Sequence, residues 1–478
     1  MEQYFATLKE VDHSAPAGRN FLQGEPTMKL LSGYTREEKS WMMYDWANSA
    51  HSVIVVTILP IFYNTVASYM ADAASGLSTW GYATSIAMAV VALLAPVLGA
   101  FGDFKGMRKK LFTIFMLVGV VSCLFMAVTP QMDFLQPETA ETVGLAVLAL
   151  YIISTIGFAA ANLYYDSFLN DVTTEERMDK VSTMGYGMGY IGGSTIPLVI
   201  FLVMNLVGVP MTTCLSFAFG FTGVWWLVFS IPLLRNVHQK SWCEGEKGAV
   251  GRTLRSLGGT VRDIWRNKAM FIFLIAYFFY IDGVNTIIHM STSYGSTLGL
   301  GTTEMMLALL MVQILGLPFC LLYIRLSEKF GARTMIGAGI CVYVAVTIFA
   351  FFLDSVWQFW VMALMVATSQ GGIQALSRSM FGKMIPDKAR SGEFFGFYDI
   401  FGKFSAIMGP ALVGFTTALS ADAMLASQGL TRATATETVL AAIDKSSASW
   451  GILSLLVIFF IGGGLYFFVL PRFTKKNK

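Results

Sequence analysis

Long apolar runs alternate with short polar stretches along the chain, and this pattern predicts helices that cross a membrane. A transmembrane helix needs about 20 mostly apolar residues to cross roughly 30 Å of hydrocarbon. Twelve runs satisfy this requirement, and we number them as spans 1 to 12. They lie near residues 41–70, 78–101, 111–129, 143–169, 182–207, 213–234, 269–295, 304–325, 334–353, 357–380, 394–420 and 448–471. The pattern therefore predicts an all-α membrane protein.

The composition agrees with this prediction. Of the 478 residues, 55% are hydrophobic and only 13% are charged, whereas about 25% of the residues in a typical soluble protein are charged. The formal net charge is only +3, and the basic residues lie in short loops. We therefore expect a lipid bilayer as the surroundings and no nucleic acid as a partner.

Basic residues are concentrated in the termini and in every second connection between the spans. These segments hold 30 of the 33 Lys and Arg residues; Arg432 and Lys445 lie in an opposite connection and Lys403 lies within span 11. Because basic loops stay on the cytoplasmic side of a membrane, both termini are predicted to be cytoplasmic. The absence of an Asn-x-Ser/Thr glycosylation sequon favours a bacterial inner membrane over a eukaryotic cell surface.

The longest polar connection divides the spans into two groups of six. The first forty residues lack the apolar core of a secretory signal peptide, and we expect them to be a cytoplasmic tail. The predicted segments are a tail at 1–40, a six-helix bundle at 41–234, a linker at 235–268, a second bundle at 269–471 and a C-terminal tail at 472–478.

Short sequence patterns recur in the two groups of spans. "NLYYDSFLND" ends span 4 and "QALSRSMFGK" ends span 10, and their alignment pairs Asp166 with Arg378. "DWANS" in span 1 and "DGVNT" in span 7 both read Asp-x-x-Asn-Ser/Thr. Weak internal repeats of this kind are typical of secondary transporters, whose substrate site lies near the midplane between the repeats.

The connection between spans 2 and 3 carries a loop motif. It reads "GAFGDFKGMRKK", which is Gly-x-x-x-Asp-x-x-Gly followed by a basic cluster. This motif resembles the loop signature of the major facilitator superfamily, and "RLSEKFGAR" between spans 8 and 9 is a degenerate copy. With twelve spans divided into six and six, the resemblance implies the major facilitator fold, which has two pseudo-symmetric six-helix bundles.

Five further blocks narrow this resemblance. They are "YDWANSA", "YYDSFLND" followed by "YIGGS", "AYFFYIDGVNTI", "GGIQALSRSMF" and "GEFFGFYDIFGKFSAIMGP". In order and spacing they resemble the signature blocks of the unknown major facilitator family, relatives of the fungal autophagy-related vacuolar effluxers. The resemblance implies a multi-pass secondary transporter, and for the fungal relatives it implies export of amino acids. We therefore expect a small polar metabolite as substrate, an amino acid or a related carboxylate.

Coupling to an ion gradient is expected because the chain lacks a Walker-type Gly-x-x-x-x-Gly-Lys-Ser/Thr motif. Asp282 lies 14 residues beyond Lys268, about 21 Å along a helix, and an acid at that depth should face the cavity. Because burial disfavours its charged form, we predict that Asp282 takes up a proton in each cycle, with Asp45 as a second site. Sodium is the rival coupling ion, since Asp, Asn and Ser/Thr oxygens could also hold a cation.

Lys403 is the residue predicted to bind an anionic group of the substrate. Asp399 lies four residues before Lys403, so the two side chains share one helix face. Asp399 is predicted to belong to the substrate site and to release Lys403 when the substrate binds, and a self-neutralised structural pair is an equally open interpretation. Packing between helices would explain a buried carboxamide equally well, and a hydrogen bond to a neighbouring helix would explain a buried histidine. The other predicted substrate contacts are Asn48, Asn285, Gln374 and His51.

A cytoplasmic gate is predicted where spans 4 and 10 end. Asp166 and Arg378 occupy repeat-related positions there, and alternating access requires contacts that form in one state and break in the other. Asp103 and Glu393 are predicted to belong to the same gate. Anchoring of these charges at the membrane surface is the alternative interpretation.

An intramembrane aspartyl hydrolase is the main alternative to a transporter. Tyr44 and Asp45 resemble half of its signature, but the partner motif Gly-x-Gly-Asp is absent because Ala100 stands where the first Gly belongs. No His-Glu-x-x-His or Gly-x-Ser-x-Gly motif occurs, the four His and five Cys show no metal-ligand spacing, and no filter-like carbonyl run suggests a channel. We expect a monomer without enzymatic activity, cofactor or metal, whose partners are a small-molecule substrate and a proton or sodium ion.

Overall fold

The structure is a computed structural model that describes residues 31–71, 73–244 and 249–474. The chain divides into two units, Met1–Thr35 and Arg36–Lys478. In the first unit the described residues form a turn at 31–33. The predicted tails therefore lie largely outside the described residues, which leave out 1–30 and 475–478. The second unit contains everything described below.

Helices make up almost all of the described second unit. Eleven of its helical runs are long and apolar enough to cross a membrane, and span 1, residues 36–67, is the twelfth run, so the twelve predicted spans are confirmed. The spans are Arg36–Val53 with Ile54–Ile58 and Leu59–Ala67, Ala73–Gly102, Met107–Met126, Pro137–Ser167, Met178–Met188 with Gly189–Thr195 and Ile196–Leu206, Met211–Asn236, Lys268–Thr297, Thr302–Phe330, Ala332–Phe351, Val356–Met384, Ser391–Ser427, and Glu437–Leu453 with Leu455–Gly464, Leu465–Val469 and Leu470–Thr474.

The two related loops of the sequence also share a backbone feature. Gly106 precedes span 3 with a φ of 71°, and Gly331 precedes span 9 with a φ of 83°. Side chains disfavour this left-handed region, so each turn depends on glycine. Both loops thereby turn tightly between consecutive spans.

Each half of the molecule has its own apolar core. The core of spans 1 to 6 includes Ile58, Phe62, Val147 and Phe219, whereas the core of spans 7 to 12 is built from a separate set of residues. Between the halves, span 2 packs on span 11, and span 5 packs on spans 8 and 10. The structure is therefore two bundles that meet mainly along these spans.

Glycines bring spans 2 and 11 into backbone contact. A Cβ atom added to Gly99 would lie 2.1 Å from the carbonyl oxygen of Gly392, and one added to Gly396 would lie 2.6 Å from the carbonyl oxygen of Ala95. Neither position could accept a side chain without separating the two spans. The main chains of the two halves are therefore in contact where span 2 ends and span 11 begins.

The connection between the halves contains a helix that the sequence analysis did not predict. The linker helix, Ala249–Arg266, is strongly amphipathic and ends just before span 7 begins at Lys268. Its Thr260 and Ile264 are buried. Part of the predicted polar linker is thus a helix, which packs on span 2 of the first bundle and on spans 7 and 11 of the second.

Candidate functional site

Polar contacts between the two halves are concentrated at one end of the bundle. We call it the basic end, because it carries the connections 103–106, 173–177 and 385–390. All the side-chain hydrogen bonds and ion pairs that we find between the two bundles, in the described chain, lie there. They join Asn170 to Ser391, Ser182 to the Ala375 carbonyl, Asp179 to Ser379 and Lys383, Glu175 to Lys388, Asp103 to the amides of Gly392 and Glu393, and Arg378 to Asp45, Asp166 and Ser182.

Arg378 is the centre of the deepest of these contacts. Its side chain extends from span 10 into the first bundle. There Nη1 donates to Asp166 Oδ1 at 3.0 Å and Nη2 donates to Asp45 Oδ2 at 3.3 Å. Its Nε donates to Ser182 Oγ at 2.9 Å. Arg378 and Asp45 are buried, and removing one partner of a buried ion pair leaves the other charge unpaired. One arginine of the second half thus holds spans 1, 4 and 5 of the first.

Aromatic rings enclose the Arg378 guanidinium. Its central carbon lies 4.7 Å from the ring centre of Trp41, 5.4 Å from that of Tyr165 and 4.6 Å from that of Tyr186. Tyr165 also donates its hydroxyl hydrogen to Asp45 Oδ2 at 2.7 Å. Ring faces attract cations, most strongly where water is excluded. The sequence analysis missed these three residues, although Trp41 and Tyr165 each lie close to a predicted acid in the sequence.

Asp45, predicted to be a second proton-coupling site, contacts the other half of the molecule. It lies against Arg378, which also contacts Asp166. Asn48, one turn further along span 1, donates to Asn162 Oδ1 at 2.7 Å within the first bundle. Asp45 is therefore part of the contact between the halves, and Asn48 joins spans 1 and 4.

Asp103 makes a second contact between the halves. It accepts hydrogen bonds from the amides of Gly392 at 2.7 Å and Glu393 at 2.8 Å, where the first turn of span 11 leaves its N–H groups free and carries partial positive charge. Arg108 Nη2 donates to Asp103 Oδ1 at 2.6 Å and its Nη1 to Asp171 at 2.5 Å. Burial raises the pKa of Asp103 to about 6, although Arg108 and the two amides lower it.

Tyr190 of span 5 fills a notch in the second half that sequence reasoning did not find. A Cβ atom on Gly316 of span 8 would lie 2.4 Å from its ring, and one on Gly371 of span 10 would lie 2.7 Å from the ring. Tyr190 is buried and lies one turn beyond Tyr186. Tyr190 and Gly371 lie in the blocks "YIGGS" and "GGIQALSRSMF", whereas Gly316 lies outside the quoted blocks. Only the fold shows that the three residues meet.

Asp399 and Lys403 lie on one face of span 11, as their spacing predicts. Their closest charged atoms are 3.8 Å apart, and each side chain is 24% exposed. The distance in this pair is therefore longer than in the Arg378 contacts, and Lys403 is more exposed to solvent than Arg378. Asp399 also lines a narrow crevice together with apolar residues of spans 2 and 4. Its Oδ2 has no hydrogen-bond partner among the described residues.

Asp282 lies inside the second bundle, between spans 7 and 11. Its Oδ1 accepts a hydrogen bond from the Gly409 amide at 2.9 Å, while its Oδ2 and the Thr286 hydroxyl have no hydrogen-bond partner in the described chain. A Cβ atom on Gly409 would lie 2.0 Å from the Thr286 oxygen and 2.8 Å from Asp282 Oδ1. This position differs from the expected one facing the cavity, and the side chain beside Asp282 is Thr286 rather than Asn285, which is partly buried.

His51 and Gln374 occupy different surroundings. His51 Nε2 lies 2.7 Å from Ser154 Oγ, and its ring stacks on Phe158 and packs against Trp226 in the interior of the first bundle. Gln374 is partly buried on span 10, one turn before Arg378. The structure therefore brings Asp45, Asp166 and Arg378 together, and Asp103 with Glu393, whereas His51 and Asp282 each lie inside one bundle. The described residues contain no group of three or more His, Cys, Asp or Glu that could hold a metal ion.

Comparison with protein families and curated sequences gives consistent matches. The family model described as "Vacuole effluxer Atg22 like" matches residues 34–427. An uncharacterized MFS-type transporter of Bacillus subtilis, YxiO, is 43% identical over 399 residues, covering 82% of this chain and 90% of the relative. Autophagy-related protein 22 of Coccidioides immitis is 25% identical over 417 residues, covering 70% of this chain and 67% of the relative.

Solved structures show the same fold. The major facilitator superfamily proton:xylose symporter XylE matches with a TM-score of 0.59 at 14% identity, covering 89% of this chain and 94% of that one. A bacterial homologue of the iron transporter ferroportin matches with a TM-score of 0.60 at 14% identity, covering 92% of this chain and 100% of that one. The two pseudo-symmetric six-helix bundles expected from the sequence are the major facilitator fold.

Proposed function

Because the chain belongs to the Atg22-like vacuole effluxer family of the major facilitator superfamily and is therefore a membrane transporter, we propose that it is a secondary active transporter of a small polar metabolite. The same relatives are transporters, so the hydrolase alternative falls away. One observation supports the finer proposal most directly, namely that the polar contacts between the halves are confined to the basic end.

We propose alternating access, in which the basic end opens and closes. The contacts of Arg378 and Asp103 join two rigid bundles, each with its own core, so they would break together if the halves rotated apart. In the present arrangement that end is closed. The basic end would be cytoplasmic and so would both termini, since its loops carry the excess of Lys and Arg; a bacterial inner membrane and a monomer remain part of this proposal.

We propose an amino acid or a related carboxylate as the substrate. Lys403 supports this choice because its ammonium group is only loosely paired, 3.8 Å from Asp399, and 24% of its side chain is exposed. A substrate carboxylate would replace Asp399 as the partner of Lys403. Gln374 and Asn285 are the proposed hydrogen-bonding residues around it.

We propose that a proton drives transport through Asp282. This carboxylate has no basic partner, and one of its oxygens lacks any hydrogen bond in the described chain, a situation that disfavours the ionised form. A sodium ion is the second candidate, because Asp282 and the Thr286 hydroxyl converge on the same side of Gly409 and both offer oxygen ligands.

Substrate counterflow in proteoliposomes tests this function, because exchange requires a carrier and no chemistry. The parent protein should exchange an amino acid or carboxylate found in a metabolite screen. Lys403→Gln should raise the half-saturation concentration about tenfold or more for an anionic substrate, the loss of a charged hydrogen bond, and far less for its neutral amide. Thr434→Ala, in the connection opposite the basic end, serves as the control. Equal effects on both substrates would show that Lys403 does not bind the anionic group.

A further inference from the structure

The linker helix presents three different stripes of residues. Thr260 and Ile264 are one turn apart and buried against the protein, and Arg262 and Arg266 are one turn apart and exposed. Val261 and Trp265 form the third stripe, in which 51% and 67% of the side-chain surfaces are exposed. Residues four apart lie on one helix face, so the exposed apolar stripe runs between the protein and the arginines.

The position of this helix explains why an apolar stripe could be exposed. The helix ends at Arg266, and span 7 starts at Lys268. The ring centre of Trp265 lies 4.7 Å from that of Phe271, in the first turn of that span. Trp265 is therefore at the depth where a membrane-crossing helix enters the bilayer, and tryptophan is enriched at that boundary.

The charge of the segment identifies the kind of partner. Residues 235–268 contain eight Lys and Arg but only three Asp and Glu, and an amphipathic helix with a basic polar face binds at the surface of anionic lipid. We propose that the linker helix is a docking site for anionic lipid headgroups, with Val261 and Trp265 in the interface and Arg262 and Arg266 at the phosphates.

Lipid bound at this helix would act on the contact between the halves. Asp263 accepts from Arg390 at 2.8 Å, and Thr260 donates to Glu393 Oε1 at 2.6 Å while it also contacts Arg390. The amide of that same Glu393 donates to Asp103. The linker helix thus forms a hydrogen bond with the first turn of span 11, the same turn whose amides donate to Asp103. Anionic lipid therefore favours the closed basic end, a consequence that does not depend on the substrate or on the coupling ion.

Spin labels on two stripes of the helix test the docking. Val261→Cys and, as its matched control on the stripe of the arginines, Gly258→Cys, an exposed position where an added Cβ meets nothing within 4 Å, are labelled in the full-length protein with Cys243 and Cys341 replaced by serine, because the other three cysteines are buried. In vesicles of phosphatidylcholine with phosphatidylglycerol, the label at 261 should be accessible to oxygen and shielded from a water-soluble nickel chelate, and the label at 258 should show the reverse. Two labels equally accessible to the chelate would overturn the proposal, as would shielding found only in native membranes, which would point to a protein partner.

The distance between labels at Glu176→Cys and Lys329→Cys, exposed positions at the basic end of the two halves, reports the coupling. Phosphatidylglycerol should increase the population with the short distance. The lipid fraction that produces half of this increase should be about fivefold higher in Arg262→Gln and in Arg266→Gln. Arg325→Gln, another exposed arginine, should change it little. A response to total lipid without dependence on phosphatidylglycerol would overturn headgroup recognition, and docking without any change in distance would overturn the link to span 11.

Discussion

Two acidic clusters of the described chain, Asp45 with Asp166 and Asp282 with Thr286, differ in the partners that surround them. Asp45 and Asp166 share a fully charged partner that belongs to the other half of the molecule, whereas Asp282 has an amide donor from its own half. The first cluster can exchange its partner only if the halves separate. Under the proposed function, the second would gain or lose a cation without any separation. The difference suggests that one cluster holds a conformation while the other senses an ion.

Arg378→Ala should produce the largest effect on the first cluster. Removing one partner of a buried charged network costs about 3–5 kcal/mol, and here that loss falls only on the closed state. The population with a closed basic end should therefore fall by about 100-fold or more, measured as the distance between labels at 176 and 329. Arg325→Ala is the control. A closed basic end in Arg378→Ala would show that the charged cluster does not hold the halves together.

Gly316→Ala tests whether packing contributes to the same closure. The new methyl group would overlap the Tyr190 ring, and overpacking typically costs about 1–3 kcal/mol. We expect partial opening in the same distance measurement, with recovery in the Gly316→Ala/Tyr190→Ala double variant because the overlapping ring is gone. Gly414→Ala, where an added Cβ meets nothing within 4 Å, should be neutral. Opening that persists in the double variant would assign the effect to span 8 alone.

The positions of the spans could be predicted from the sequence, whereas the contacts between the two halves could be predicted only in part. Hydropathy marks membrane helices directly, and the repeat pairs Asp166 with Arg378 because the two positions are related by pseudo-symmetry. The contact of Asp45 with Arg378 was not predicted, since depth along one helix says nothing about which neighbour a side chain meets. Tyr190 with Gly316 depends on packing between distant spans, which leaves no local pattern. The linker helix was missed because its arginines and glycines read as a polar loop, although its apolar residues recur with helical spacing.

Asp282→Asn should separate the two clusters by function. If Asp282 carries the coupled proton, the variant should lose accumulation driven by an imposed pH gradient, about tenfold for each pH unit, while substrate exchange continues because it moves no net proton. Asp45→Asn should instead weaken closure of the basic end. If both variants lose accumulation and neither weakens closure, the two clusters do not differ in function. If accumulation by the parent protein requires sodium and does not depend on pH, sodium is the coupling ion.

Acid at the basic end should have a smaller effect, through Asp103, and its direction is fixed by linkage. Burial raises the pKa of Asp103 to about 6 in the closed state, whereas the same carboxyl in water would titrate near 3.9. Above pH 6 neither state binds this proton, so the equilibrium should not change with pH. Between about pH 6 and pH 4 only the closed state binds it, so closure should gain about 1.4 kcal/mol for each unit that the pH falls.

The distance between the labels at 176 and 329 should therefore shift toward the closed value over this window. Asp103→Asn should remove that dependence and Asp133→Asn, exposed at the opposite end, should retain it. Opening in acid, or an unchanged pH profile in Asp103→Asn, would mean that the inter-half contact of Asp103 does not respond to its own protonation.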